Sequence, residues 1–520
     1  MNKEQKWFHF LGKRPSPAFL ASLISVLLLG YALLLSPAIG MADSGDFGRV
    51  ANPQGIYTQQ LEESDRYFNY FIREYGNYMY YNETGNGIFT SQIPMIGLAK
   101  GLNSLLNPNP ATFDIRYLGA IHIAYFALAV YFLTEYVTCG RKRGWASYLI
   151  AALTVFMFAD LAYTAYFNSF YAEGMVFISF ILCVSSALLM TKNRYPQGFL
   201  LGMIFVNGLI LTCAKQQNAP EGFLLGFLCM TLPYVIKREE HRFPKPDALK
   251  TEKKNWFSAK KWKAVSCTAG AVLCVAGLMV YTLIPKTFVN INQYHAMTRG
   301  ILMTSPNPEK TLDTFEIDRQ YALLDQTIYF ERYPAAPVES QMLEDAFYSK
   351  YGFGSMLAYY TLHPGQLMQM MNLAAKNAYS IRPAYVGNYE KSVEHGPGDK
   401  TQFFTLYSSF KENAAPKTFG FIALWSVLAL VLSRKQKGRT LVLLFCILSG
   451  VSQMGISILG AGDADLSKHV FIFNVAFDVV NYIGFASLIW MWSDRIEKKR
   501  MKKQTKPMIT IEKEQVTVNV

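Results

Sequence analysis

About ten apolar blocks, most of them long enough to cross a bilayer as helices, limit what this chain can fold into. In hydrocarbon every backbone N–H and C=O must be satisfied within the segment, so spanning blocks of roughly 17–25 residues read as α-helices. The blocks cover residues 18–35, 116–137, 145–158, 171–190, 198–212, 222–236, 265–284, 419–432, 440–459 and 470–492. Three are short: 145–158, 198–212 and 419–432. The pair 198–236 also reads as one re-entrant hairpin, which would alter the side on which Lys215 lies. The expected fold class is an all-α polytopic membrane protein with two large outer loops carrying interfacial helices.

Composition supports this. Hydrophobic residues make up 51% of the 520-residue chain and charged residues 17%, which leaves little polar surface for several soluble domains. The net charge of +13 raises nucleic acid as a partner. The basic residues, however, sit in short clusters between apolar blocks, as in membrane proteins, so no nucleic-acid partner is expected. The seven cysteines lie in or beside apolar runs, without CxxC or His-rich spacing, which argues against a disulfide framework or a zinc site. The first block follows Lys3, Lys6, Lys13 and Arg14. A cleaved signal peptide ending near Ala38 or Ala42 has the same pattern, but about 18 apolar residues followed by more spans favour a retained helix.

Lysine and arginine set the direction. With the N-terminus inside, the segments 1–17, 139–144, 191–197, 237–264, 433–439 and 493–520 hold roughly 31 of the 50 basic residues, a strong inside bias. Both termini are then expected in the cytoplasm. The organisation follows as 1–284, a membrane module with its first outer loop at 36–116; 285–418, a large extracytoplasmic loop; 419–492, C-terminal spans; and 493–520, a basic tail that is solvated or touches lipid headgroups. Both outer loops are too aromatic for disorder. Residues 90–106 carry Ile93, Ile96, Leu98, Leu102, Leu105 and Leu106 on a broad face, as an interfacial helix would. A helix begins at His363-Pro364, and 403–410 reads as a further surface-lying piece. No internal repeat is visible, which counts against a transporter of symmetric halves.

On this topology five polar segments reach the outer side. They are Asp43, Asp46 and Arg49; 160–173, with Asp160, Asn168 and Glu173; 213–221, with Lys215 and Gln216; 292–299, with His295 and Arg299; and 460–469, with Lys468 and His469. Each alone is an ordinary solvated loop. Together they put carboxylates and cations around one cavity. In the last block Asn474, Asp478 and Asn481 share a helical face, either as a helix–helix contact or as a cavity wall.

Outside the membrane there is no nucleotide sugar, so a glycosyl donor there arrives on a lipid phosphate. A carboxylate can act as general base on the acceptor hydroxyl, and cations can neutralise the departing phosphate. Aromatic stretches such as Tyr67–Tyr81 offer faces to sugar and lipid. One carboxylate acting through the acceptor would invert the anomeric centre. A second, as nucleophile or metal ligand, leaves the stereochemistry open.

The long first outer loop with an early acidic motif, the interfacial helices and the large late loop resemble the GT-C membrane glycosyltransferases. The strings 41–50 (MADSGDFGRV), 165–174 (AYFNSFYAEG), 300–310 (GILMTSPNPEK) and 468–478 (KHVFIFNVAFD) are similar to bacterial hexose transferases of the WsfD type, in surface-glycan biosynthesis. The resemblance implies a hexosyltransferase using a polyprenyl-phosphate sugar donor and a glycan or glycolipid acceptor. It places the base at Asp46 or Asp43, with Asp46 ranked first; Ser44-Gly45 splits the family's paired acids. It puts Asp160 or Glu173 in the place of a supporting acid or ligand to a divalent cation. Lys215, His295, Arg299, Lys468 and His469 are expected at the donor phosphate, with Arg49, Asn168, Gln216 and Asp478 in support. A polysaccharide polymerase or ligase, depending on Arg299, and a lipid-linked-glycan transporter are the alternatives.

Overall fold

A computed structural model describes residues 15–59, 62–78, 88–242, 259–383 and 385–517. The basic N-terminal residues 1–14, the sequon Asn82-Glu83-Thr84 and the end of the aromatic stretch at 79–81 lie outside them.

The chain is an all-α multi-pass membrane protein. Among the described residues seven helices are long and apolar enough to cross a membrane: Pro17–Leu34, Arg116–Thr138, Glu173–Lys192, Gln216–Lys237, Lys261–Thr282, Lys437–Ala461 and Phe471–Met501. Two bent pairs, Trp145–Phe158 with Leu161–Asn168 at 48° and Leu406–Ala414 with Phe419–Ser433 at 111°, raise the number to nine. The short blocks are where the expected ten and the structure part. Two of them complete a span only with a bent neighbour, and Gln197–Thr212 is an apolar helix of 16 residues. Gln216–Lys237, at 22 residues, is long enough by itself.

Glu173–Lys192 is the central helix, with 94% of its apolar window buried, while Lys261–Thr282 is only 28% buried and faces lipid. No hydrophobic effect drives helices together in lipid, so close approach through small residues takes its place. Helices Ala219–Arg242 and Ala259–Thr282 use it directly. A Cβ on Gly226 would sit 2.7 Å from the Gly270 carbonyl oxygen, and one on Gly277 would sit 2.5 Å from that of Ala219.

The two long loops close over one end of this bundle. Gly40–Met41 pairs antiparallel with Val386–Asn388, joining the first loop to the late one. Ile56–Tyr57, Glu74–Asn77 and Thr112–Asp114 form a small antiparallel sheet. Helix Ile93–Leu106 buries Ile96 and Ala99 but leaves Leu98, Leu105 and Leu106 exposed, the two-faced pattern of an interfacial helix. A second apolar core, with Tyr294, Ile301, Phe347 and Tyr360, packs the large loop onto Met454, Ile458 and Phe473 of the C-terminal helices.

Asp478 lies in a closed polar network inside the bundle. It is fully buried and accepts hydrogen bonds from Tyr163 (2.5 Å), Tyr407 (2.6 Å) and the Lys411 ammonium (2.7 Å). A carboxylate at this depth needs a charge partner, and Lys411 brings one from the Leu406–Ala414 helix, whose other face exposes Leu406 and Phe410. Of its two sequence-level readings, the network matches the structural contact, not a cavity wall. On the same face Asn481 accepts from the Trp425 indole at 3.0 Å.

Gly226→Leu should push apart helices Ala219–Arg242 and Ala259–Thr282, costing about 1–3 kcal/mol as overpacking. Gly202→Ala, where a Cβ meets nothing within 4 Å, should leave stability unchanged or slightly raised. Thermal unfolding in detergent distinguishes the two.

Candidate functional site

The site forms where the first span ends. Orphan carbonyls at a helix C-terminus need donors, and two side chains supply them: Asn168 Nδ2 donates to the oxygens of Leu33 and Ile39 at 2.8 Å each, and Arg116 Nη1 to Leu34 at 3.0 Å. Asn168 therefore fixes the path of the chain into residues 40–49. There the Asp43 carboxylate turns inward and accepts the amides of Gly45 (2.7 Å) and Phe47 (3.1 Å). Gly45 has φ +103°, open to glycine at little cost. Asp43 is 4% exposed, and burial raises its pKa against the pull of those amides. It shapes the turn that presents Asp46.

Asp46 immediately precedes the short helix Phe47–Ala51, its side chain 30% exposed. Arg49 Nη1 donates to one carboxylate oxygen at 2.6 Å and Lys468 Nζ to the other at 2.8 Å. Burial opposes ionisation, but Lys468 and Arg49 together hold the Asp46 pKa below the usual carboxylate value. Burial also opposes the Lys468 ammonium, and Asp46, Glu173 and Tyr385 outweigh it, keeping its pKa above normal. Lys468 lies 4.1 Å from the centre of the Tyr171 ring, a favourable cation–π position, and the Tyr171 hydroxyl meets Ser44.

A second ion pair stands beside the first. Lys215 Nζ donates to Glu173 Oε1 at 2.7 Å, with Glu173 only 1% exposed. The segments carrying these groups are tied together: Gln92 Nε2 reaches the carbonyls of Ser169 and Tyr171, and Thr90 and Ser91 bond Ala214 and Ile210. The start of the interfacial helix is thus fixed to both loops.

His469 does not act as a cation here. Its Nδ1 is 2.8 Å from Gln217 Oε1, while Gln217 Nε2 donates to the His469 carbonyl at 2.7 Å. Burial and the neighbouring lysines push its pKa down to about 3, so the ring is neutral at physiological pH. His295 is neutral too, at about 4, lowered by burial and by Arg299; its Nε2 accepts the Tyr329 amide at 2.9 Å. Arg299 makes a two-pronged bond to Asp463 (2.6 and 2.9 Å) and a third bond to the Gln326 carbonyl. Gly462 lies so close to that helix that a Cβ would be 2.6 Å from the Arg299 carbonyl oxygen. Arg299 thereby anchors the turn that carries Lys468, His295 is engaged with Tyr329 of the large loop, and neither is free to meet a phosphate.

Of the expected residues, the structure gathers Asp46, Arg49, Lys468, Glu173, Lys215 and His469. Asp43 and Asn168 lie beneath them as supports. Asp160 lies apart from this ionic cluster: it caps Leu161–Thr164 through the Ala162 amide and accepts both the amide (2.9 Å) and the hydroxyl (2.8 Å) of Ser408. Among the described residues no group of three or more His, Cys, Asp or Glu could hold a metal ion. Gln216 opens the short turn Gln216–Asn218 and is half-buried, but its neighbour Gln217 makes the contacts. Sequence reasoning passed over Gln217, Tyr171 and Lys411, all in or beside segments already marked polar or aromatic. Tyr385 had no signal in the sequence.

The sequence model of the YfdI N-terminal transmembrane domain family matches residues 2–507, and the chain belongs to that family. No curated protein matches it.

Lys215→Met leaves the Glu173 carboxylate buried without its cation and should destabilise the protein by about 3–5 kcal/mol. Adding Glu173→Gln should recover most of that loss, since the two residues form one interaction. Unfolding of the two single variants and the double variant measures it.

Proposed function

We propose that this member of the YfdI N-terminal transmembrane domain family is a GT-C-like membrane glycosyltransferase, moving a hexose from a polyprenyl-phosphate donor to a glycan or glycolipid on the outer face of a bacterial plasma membrane. One observation carries the reading: a half-buried carboxylate, Asp46, shared between Lys468 and Arg49 where the first span meets the loops. The reaction needs a proton acceptor beside cations for a lipid phosphate, and these residues supply both.

The same geometry supports an order of events. At rest Asp46 is a weak base, because its charge is neutralised on both sides. A phosphate arriving at Lys468 and Arg49 would compete with Asp46 for those donors, and a carboxylate that loses cationic partners gains basicity. Donor binding would thus ready the base for the acceptor hydroxyl. As the sugar–phosphate bond breaks, Lys468 stays with the leaving phosphate while Lys215 holds Glu173 ionised behind it. Tyr171 and Tyr385, whose ring centres are 6.5 Å apart, offer aromatic faces beside that position. The polymerase or ligase alternative relied on Arg299, whose guanidinium is already bound to Asp463 and Gln326.

Purified protein in liposomes with a short-chain polyprenyl-phosphate hexose and acceptor should release polyprenyl phosphate. Asp46→Asn should slow transfer by about 10²–10⁴-fold while the protein still inserts, and full activity in that variant would remove the proposal. Lys468→Gln should weaken donor use as well as turnover.

The pH profile offers a separate check. The Asp46 pKa is held below the usual carboxylate range in the resting protein, chiefly by Lys468 and Arg49 against burial, and kcat/KM reports the free enzyme. Activity should therefore fall only as the solution is acidified below that range. With His469 at about 3 and His295 at about 4, kcat/KM should show no histidine inflection between about pH 5 and 8. An inflection near neutrality that vanishes in His469→Gln would contradict this charge assignment.

A further inference from the structure

At the opposite end of the bundle a cavity of about 290 Å³ opens between the far ends of four segments. Its polar wall carries Arg141, Lys192 and Arg439, with Asp494 as the one carboxylate in the lining. Asp494 is bound by Arg141 at 3.1 Å, so the wall keeps an excess of two positive charges (three cations less one carboxylate). The Arg194 guanidinium stands just behind, 3.1 Å from where a Cβ on Gly140 would be. Glu135, one turn before Cys139, accepts the Tyr195 hydroxyl at 2.6 Å.

Arg141 is paired with Asp494, whereas Lys192 and Arg439 meet no carboxylate among the described residues. Lys192 lies 5.0 Å from the centre of the Tyr136 ring, and Arg141 stands over Trp490 at the same distance. Arg439 donates from Nη2 to Ser487 at 3.2 Å, while its Nε is buried with no hydrogen-bond partner among the described residues. A buried guanidinium N–H without an acceptor is costly, and it lines a space large enough for one. The opposing wall is apolar, with Val137, Ile483, Ala486 and Met491. Trp145 and Trp492 pack edge to face nearby, both exposed, as tryptophans do at a membrane interface.

We propose that this cavity binds a phosphate oxyanion, with Arg439 and Lys192 as its ligands and Arg141 at the rim. A polar wall with surplus cations facing an apolar one, at headgroup level, suits an anionic phospholipid whose glycerol ester lies along Val137 and Met491. A soluble phosphate ester reaching the same cations from water presents the same oxyanion.

Native mass spectrometry of the full chain, in detergent with equal amounts of phosphatidylglycerol and phosphatidylcholine, tests this. The anionic lipid should be retained by roughly tenfold over the neutral one, given the usual gain per basic residue at a membrane surface. The double variant Arg439→Gln, Lys192→Gln should lose that preference. Arg141→Gln, at a half-exposed side chain, should fold normally and reduce it in part. Inorganic phosphate that displaces the anionic lipid identifies the oxyanion as the recognised group. A lipid that resists phosphate shows that the esterified headgroup is the unit bound. Phosphate binding with no lipid preference assigns the cavity to a soluble ester. If the unmodified protein neither prefers the anionic lipid nor binds phosphate, the proposal fails. It also fails if the preference survives in a correctly folded double variant.

Discussion

A charge that leaves water at the edge of a bilayer must bring its partner with it, and one end of this protein is arranged around that requirement. Asp46 with Lys468, and Glu173 with Lys215, are two adjoining pairs whose members come from four separate parts of the chain. Neither pair can be dismantled without leaving an ion in a poorly solvated place. The loops that bear them are locked accordingly: Asn168 holds the exit of the first span, Gln92 holds the second outer segment, and Arg299 with Asp463 holds the last turn. Much of the polar inventory serves to keep these four ions in register.

This division of labour separates the two first-loop carboxylates, which the sequence leaves side by side. Asp43 spends its oxygen on backbone amides and Asp46 on mobile side chains. Only the second kind of partner can be exchanged for another group without unfolding the turn. The same distinction applies to the cations. Lys468 and Lys215 end in flexible ammonium groups on carboxylates, whereas Arg299 is clamped by a forked bond plus a carbonyl, geometry suited to a structural tie.

The architecture was legible because lipid imposes a length and a polarity on each spanning segment, and the residue pattern records both. The interfacial helix at Ile93–Leu106 was visible for the same reason. What pattern could not resolve was pairing across hundreds of residues. Nothing in the local sequence distinguishes Asp160, closed by Ser408, from Glu173, closed by Lys215, because the partners arrive from distant loops. Asp478 was recognisable as an intramembrane acid, but Lys411 sits in a stretch that reads as surface. The count of spans slipped where helices bend, since apolar length alone does not reveal a 48° or 111° break.

The distance along the chain between Asp46 and Lys468 has a consequence for biogenesis. Their hydrogen bond joins residues 422 positions apart, and membrane proteins emerge from the ribosome N-terminus first. Asp46 therefore enters the membrane early, with Arg49 as its only ionic companion among the partners seen in the finished site. Lys468 follows when the final helical hairpin is made. Glu173 and Lys215 can meet in between. The site is completed by the last portion of the nascent chain, so a prematurely terminated polypeptide can insert most of its helices and still lack the central cation of its mouth.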